Sequence, residues 1–180
     1  MKRSTFIFTF LALFSLSNVH AQTDITINPI GILWGDISIG TDFALSDDFS
    51  VEAMLGFGTG DESDADFNAL NVTASGKYYL NPEEGADRFY TFAFLRFVNR
   101  DYDYGEDSIF SNYDQSRLGL GVGIGAKSVT AKGFVFDINI GVGRAFIDNT
   151  NFESDGDQIE LNWPDLMFTG KLAIGYRFQK

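Results

Sequence analysis

Residues 168–178 read Phe168-Thr169-Gly170-Lys171-Leu172-Ala173-Ile174-Gly175-Tyr176-Arg177-Phe178. In an extended chain, successive side chains point to opposite sides. Phe168, Gly170, Leu172, Ile174, Tyr176 and Phe178 therefore share one face, and Thr169, Lys171, Ala173, Gly175 and Arg177 share the other. The first face is apolar and ends on two aromatics. The second carries the charges. A strand that crosses lipid in a closed barrel alternates in this way, apolar toward hydrocarbon and polar toward the lumen.

Seven more segments upstream repeat the pattern at roughly ten-residue length, the length a tilted strand needs to cross a bilayer. They are residues 25–33, 36–45, 49–58, 68–80, 89–99, 115–127 and 134–146, with 166–178 as the eighth. Pro29 interrupts the first and marks a bulge, since proline cannot donate to a ladder. The sixth is the cleanest, with Leu118, Leu120, Val122, Ile124 and Ala126 alternating with Gly119, Gly121, Gly123 and Gly125. The fifth is apolar on both faces. If Tyr90, Phe92 and Phe94 face inward, they lean over those glycines and take Arg96 with them. The opposite facing leaves Arg96 snorkelling at the outer interface. No internal run is long and apolar enough for a membrane helix.

The connections alternate in length. Residues 46–48, 81–88 and 130–133 are short to moderate, whereas 59–67, 100–114 and 147–165 are long and acidic. An even strand number with both termini in the periplasm puts the short set inside and the long set outside. The fold expected is all-β, one eight-stranded antiparallel up-and-down transmembrane β-barrel. Eight strands leave an interior about filled by side chains.

Lys2 and Arg3 precede an apolar stretch from about Phe6 to Leu16, then Val19-His20-Ala21. A basic start, a short apolar centre and small residues before the cut predict a secretory signal peptide over 1–21, cleaved after Ala21. The barrel domain is then 22–180, and the localisation expected is the bacterial outer membrane. Without Lys2 and Arg3, 11 basic and 25 acidic side chains remain, a net of −14. That balance excludes a nucleic-acid partner. The single His is His20, and Cys is absent. Triads, His dyads and His- or Cys-ligated zinc are ruled out for the cleaved chain. The expectation is no enzyme and no cofactor.

The inward set contains Asp42, Glu52, Lys77, Arg96, Arg117, Lys127, Asp137, Lys171 and Arg177. Buried charges need partners, so a lumen ionic network is expected from Glu52, Lys77, Arg96, Arg117, Asp137 and Lys171, with Glu52–Lys77 as a specific pair. A narrow channel, with a gated ion path, or a small-ligand-binding barrel using the same charges is the competing reading. Arg96 and Arg117 are placed side by side near the outer rim, where they neutralise the acidic loops or hold an anion. Asp155 and Asp157 are weak candidates for a hard cation, because the run lacks the ligands of an EF-hand loop. Trp34, Phe57, Phe97, Tyr113, Phe146 and Trp163 are expected as an outer aromatic girdle, and Phe43, Phe49, Tyr78, Phe89, Phe134 and Phe178 as an inner one.

The stretch Asn28-Pro29-Ile30-Gly31-Ile32-Leu33-Trp34-Gly35-Asp36-Ile37-Ser38-Ile39-Gly40, followed by Ala44-Leu45-Ser46-Asp47-Asp48-Phe49-Ser50-Val51-Glu52, resembles a family of small eight-stranded bacterial outer-membrane β-barrel proteins of unknown function. Gly175-Tyr176-Arg177-Phe178 resembles the insertion signal shared by eight-stranded outer-membrane proteins, although Gln179 and Lys180 follow it. The resemblance implies fold and compartment. It implies partners in outer-membrane lipid and lipopolysaccharide, and in the barrel-assembly machinery through Tyr176 and Phe178. It implies no catalytic residues. A monomer is expected.

Overall fold

The computed structural model describes residues 22–30, 36–62, 65–83, 85–104, 112–154, 157–159 and 165–178. The expected signal peptide, Trp34 and Trp163 lie outside them. The strands are β1 (Thr23–Asn28), β2 (Asp36–Ala44), β3 (Phe49–Glu62), β4 (Ala65–Leu80), β5 (Arg88–Tyr104), β6 (Asn112–Val129), β7 (Phe134–Ser154), the short β8 (Asp157–Ile159) and β9 (Leu166–Phe178). Each strand pairs antiparallel with the next around a ring, with β8 a side arm on β7. β1 pairs with β9, so the sheet closes on itself and the eight long strands leave no open edge.

Two expectations need correction. The first strand ends at Asn28 instead of running to Leu33, and Pro29 and Ile30 turn out of the ladder. A ring nitrogen without N–H ends the pairing there. The segments read as long acidic loops are partly paired strand. β3 and β4 continue past Asp61 opposite Asp66 to Glu62 opposite Ala65, and β5 and β6 past Asp101 opposite Asp114 to Asp103 opposite Asn112. Acidic residues mark where a strand leaves hydrocarbon, not where its ladder stops. Phe146 is an extra residue on β7, because Leu118 pairs with Ile147 and Gly119 with Ala145.

The stagger follows from the register. A row of partners leaves β9 at Arg177 and passes Asp24, Asp42, Glu52, Ser75, Phe94, Gly121 and Gly143. It returns to β9 at Met167, ten residues from where it left. Eight strands staggered by ten residues tilt about 40° and enclose a backbone cylinder of about 8 Å radius. Long side chains from opposite walls can meet on the axis.

The two faces sort as the alternation demands. Leu120, Val122, Ile124, Phe136, Ile138, Ile140 and Phe168 are among the apolar side chains left exposed on the outside. Buried residues inside the ring include Asp24, Asp42, Glu52, Lys77, Lys127, Asp137, Lys171 and Arg177. Phe49, Tyr78, Phe89, Phe134 and Phe178 are exposed toward the end that carries the termini, and Phe57 and Phe146 toward the other. Tyr176 meets Phe178 edge-on at 5.1 Å between ring centres. A polar core inside an apolar coat is the inverse of a water-soluble domain.

The coat gives a direct test. Val122 is 64% exposed midway along the apolar run of β6. Val122→Arg is expected to destabilise the barrel in lipid vesicles by about 2–4 kcal/mol, and Ser128→Arg, near the turn, by no more than about 1. Equal effects in a urea titration would remove hydrocarbon from the argument.

Candidate functional site

The charged side chains that parity sends inward converge in the half of the lumen nearer the termini. Lys77, on β4, lies at their centre and is fully buried. Its Nζ is 2.7 Å from Asp42 Oδ2, 3.1 Å from Glu52 Oε1 and 3.1 Å from Asp137 Oδ2. One ammonium thus lies among three carboxylates from three other strands, donating to Asp42 and Asp137 and ion-paired with Glu52. Lys171 Nζ bridges two of the same acids, Glu52 at 2.5 Å and Asp137 at 2.7 Å. Lys77, Glu52, Lys171 and Asp137 therefore close a four-membered ring of alternating charge.

The cluster extends toward the turn end. Lys127 Nζ donates to Asp42 Oδ2 at 2.6 Å and to Asp24 Oδ2 at 2.9 Å. Arg177 donates to both oxygens of Asp24, at 2.7 and 2.9 Å, and to the Ala86 carbonyl at 2.8 Å. Bidentate geometry of this kind suits a planar guanidinium. Four carboxylates (Asp24, Asp42, Glu52, Asp137) thus face four cations (Lys77, Lys127, Lys171, Arg177), and these eight groups balance in charge, with the buried Asp87 beside Arg177 at the turn end.

Aromatics line one side of it. Tyr90 donates to Asp137 Oδ1 at 2.6 Å and accepts from Asn139 Nδ2 at 3.1 Å. Tyr79 donates to Asp42 Oδ2 at 3.4 Å. Lys77 Nζ lies 5.1 Å from the Tyr90 ring centre, and Lys127 Nζ lies 5.3 Å from that of Tyr79, within cation–π range. Of the two facings open to the fifth strand, the inward one for Tyr90, Phe92 and Phe94 is adopted. The three rings step up the wall at 5.9 Å spacing.

Asp42, Glu52 and Asp137 also bring carboxylate oxygens within 4.8 Å of one another, close enough to hold a metal ion. The Lys77 ammonium takes that position, so the trio is an ammonium site. Asp155 lies outside the described residues, and of Asp157 only the backbone pairing with Ser154 is described.

Arg96 and Arg117 belong to the other half of the lumen. Arg96 donates to the Phe168 carbonyl at 2.6 Å and to Asn71 Oδ1 at 3.1 Å. Arg117 Nε is 2.9 Å from Asp148 Oδ2 on the neighbouring strand. Neither joins the central cluster. Sequence reasoning missed Asp24 and Tyr79 as members. The signal was present: Ile25 and Ile27 facing out put Asp24 in, and Tyr78 and Leu80 facing out put Tyr79 in.

The comparisons bear on fold and family. The crystal structure of Neisserial surface protein A is similar, with a TM-score of 0.52 at 16% identity, over 89% of this chain and 96% of that one. A major outer membrane protein from Thermus thermophilus gives 0.54 at 15% identity, over 88% and 99%. At such identities the likeness is one of fold, an eight-stranded barrel of the outer-membrane type. No curated protein matches the chain. A family model matches residues 5–176, and the chain belongs to that family, described as protein of unknown function (DUF3575).

Proposed function

We propose that this protein is an integral outer-membrane barrel with a structural or surface-interaction role, its lumen sealed against ions by the charged cluster. The observation that carries the reading is the inversion of polarity. An apolar belt faces outward all round, while eight ionised side chains are paired inside. A protein in water gains nothing from that arrangement. In lipid it closes the backbone ladder and gives each ion of the cluster an ion of opposite sign.

Sealing follows from the dimensions. The lumen is about two side chains across, and the Lys77 ring occupies its axis. An ion passing through would have to break several hydrogen bonds between charged groups in a medium of low dielectric. The acidic outer segments are then the surface offered to partners, with lipopolysaccharide around the rim. Tyr176 and Phe178, exposed on the closing strand, are the residues offered to the assembly machinery.

The test is threefold on the full chain. The protein should fractionate with outer membranes and migrate faster on a gel before boiling than after. Planar bilayers containing it should stay silent. Steady single-channel openings would overturn the seal and favour a narrow channel. Protease applied to intact cells should cleave between β5 and β6, within 105–111, and between β8 and β9, within 160–165, and spare the strands. Cleavage confined to 46–48 or 81–88 would reverse the orientation.

A further inference from the structure

The half of the lumen away from the cluster is not filled. It holds a cavity of about 280 Å³. Its floor is the Lys171–Glu52 ion pair, which belongs to the cluster below. Its walls carry the amides of Asn71 and Asn139 and the hydroxyls of Thr73, Ser75 and Thr169. Higher on the wall are the guanidinium-bearing residues Arg96 and Arg100, both on β5 and four residues apart, hence on one side of the strand. A larger groove of about 560 Å³ is bordered by the outward-facing Phe89, Phe136, Ile138 and Leu172 and by Lys127 and Asp137 of the cluster, so it borders the site already described.

We infer that this cavity is a binding site for a small polyhydroxylated anion, such as a sugar acid or sugar phosphate. Three features of the lining define the occupant. The volume equals about nine waters, so the ligand has on the order of ten non-hydrogen atoms. The walls offer amides and hydroxyls, which both donate and accept, the partners that ligand hydroxyls require. The formal charges of the lining are Arg96, Arg100 and Lys171 against Glu52, an excess of cations. Lys171 and Glu52 neutralise each other at the floor, so the cationic excess lies with the two arginines. A guanidinium presents its donors in a fork that fits carboxylate or phosphate. A lipid chain is the wrong occupant, because only Ile30, Met54 and Phe92 among the described lining residues are large and apolar.

The cluster closes the lower end, so entry is from the loop end. The acidic outer segments repel anions at long range, which makes an anion preference inside the cavity a demanding expectation. The side of entry rests on the orientation proposed above; the cavity itself does not.

The chain has no Cys, so one introduced thiol reports alone. Thr73 lies directly opposite Arg96 across the β4–β5 ladder. In detergent-solubilised full-length protein, Thr73→Cys is expected to react about tenfold faster with a sulfonate-bearing methanethiosulfonate than with a trimethylammonium one, each rate taken relative to free cysteine. Arg96→Gln or Arg100→Gln should shrink that ratio. Glucuronate should slow labelling more than glucose or glucosamine. Ser50→Cys, within the sealed half, should resist both reagents. Ser75→Cys repeats the test should Thr73→Cys fail to fold. The inference is overturned if both cavity thiols are inert, if the cationic reagent is as fast, or if glucose protects as well as glucuronate. None of these outcomes depends on orientation, which protease shaving decides separately.

Discussion

Lys77→Met is expected to lower the stability of the folded barrel by about 3–5 kcal/mol, the cost of removing one member of a buried ionic group. Methionine keeps most of the stem, so little packing is lost. What goes is the ammonium held within 3.1 Å of three carboxylates. Asp42 keeps Lys127, and Glu52 and Asp137 keep Lys171. The cluster then carries one net negative charge, with three acid groups converging on an apolar tip. Adding Glu52→Gln restores neutrality, three acids against three cations, and should recover at least about 1–2 kcal/mol. Urea titration in lipid vesicles, read as the fraction that migrates faster without boiling, measures both variants. A Lys77→Met barrel as stable as the parent would mean that the cluster does not hold the strands together.

How far the chain announces this arrangement depends on the rule that governs each part. Parity is local, so the facing of Lys171 and Arg177 is legible from Leu172, Ile174 and Tyr176 alone. The same parity, carried across the tight connection at residues 45–48, places Asp42 and Glu52 on one row, and the register has them directly opposite. Which charges actually touch is not local. Lys77 reaches Asp137, sixty residues away, because the barrel closes and ten residues of stagger bring their strands' inward sets to one height. Nothing in either segment encodes that distance. Strand ends were least legible, since Asp61 and Asp66 look like loop yet face each other in a ladder. The upper cavity was invisible for a different reason. It is defined by what Thr73, Ser75 and Thr169 fail to fill, and an empty space has no residue to mark it.

The lumen thus holds three environments: a charged cluster, a stack of aromatic rings rising from it along one wall, and a polar cavity whose floor is the Lys171–Glu52 pair. The order follows from the residues. The rings of Tyr90, Phe92 and Phe94 take up the cross-section above the cluster on the β5 side. Their size is accommodated because the neighbouring strand β6 presents Gly125, Gly123 and Gly121 beside them. Beyond Phe94 the inward positions of β5 become Arg96, Val98 and Arg100, and the walls opposite turn to small polar residues. Beside each of these three rings stands a glycine of β6, and where the rings stop, the space opens.

That dependence makes Gly121→Ala and Gly123→Ala the second large effect. Register puts Phe94 opposite Gly121, Phe92 opposite Gly123 and Tyr90 opposite Gly125. A Cβ at Gly121 would overlap the Phe94 ring and stand 2.6 Å from the Val142 carbonyl oxygen. One at Gly123 would overlap the Phe92 ring and the Ile140 carbonyl oxygen. Rings can turn, but those oxygens belong to β7, bonded in the ladder to the very strand being changed. Overpacking of this kind costs about 1–3 kcal/mol per site, and the two sites together are expected to prevent closure in most molecules. Trimming the ring should help only in part: Phe94→Leu with Gly121→Ala removes the aromatic overlap and leaves the carbonyl one. Gly125 differs, because its nearest neighbours are side-chain atoms of Tyr90 and Asn139. Swinging Tyr90 away relieves the larger of the two overlaps in Gly125→Ala and leaves the Asn139 Cβ at 2.8 Å, but that motion breaks the 2.6 Å hydrogen bond of Tyr90 to Asp137. Its cost should therefore fall when Asp137 no longer needs the phenol, so that Gly125→Ala is milder in a Tyr90→Phe background than alone. Equal unfolding midpoints for all three alanine variants would show that the glycines are there for some reason other than the rings they face.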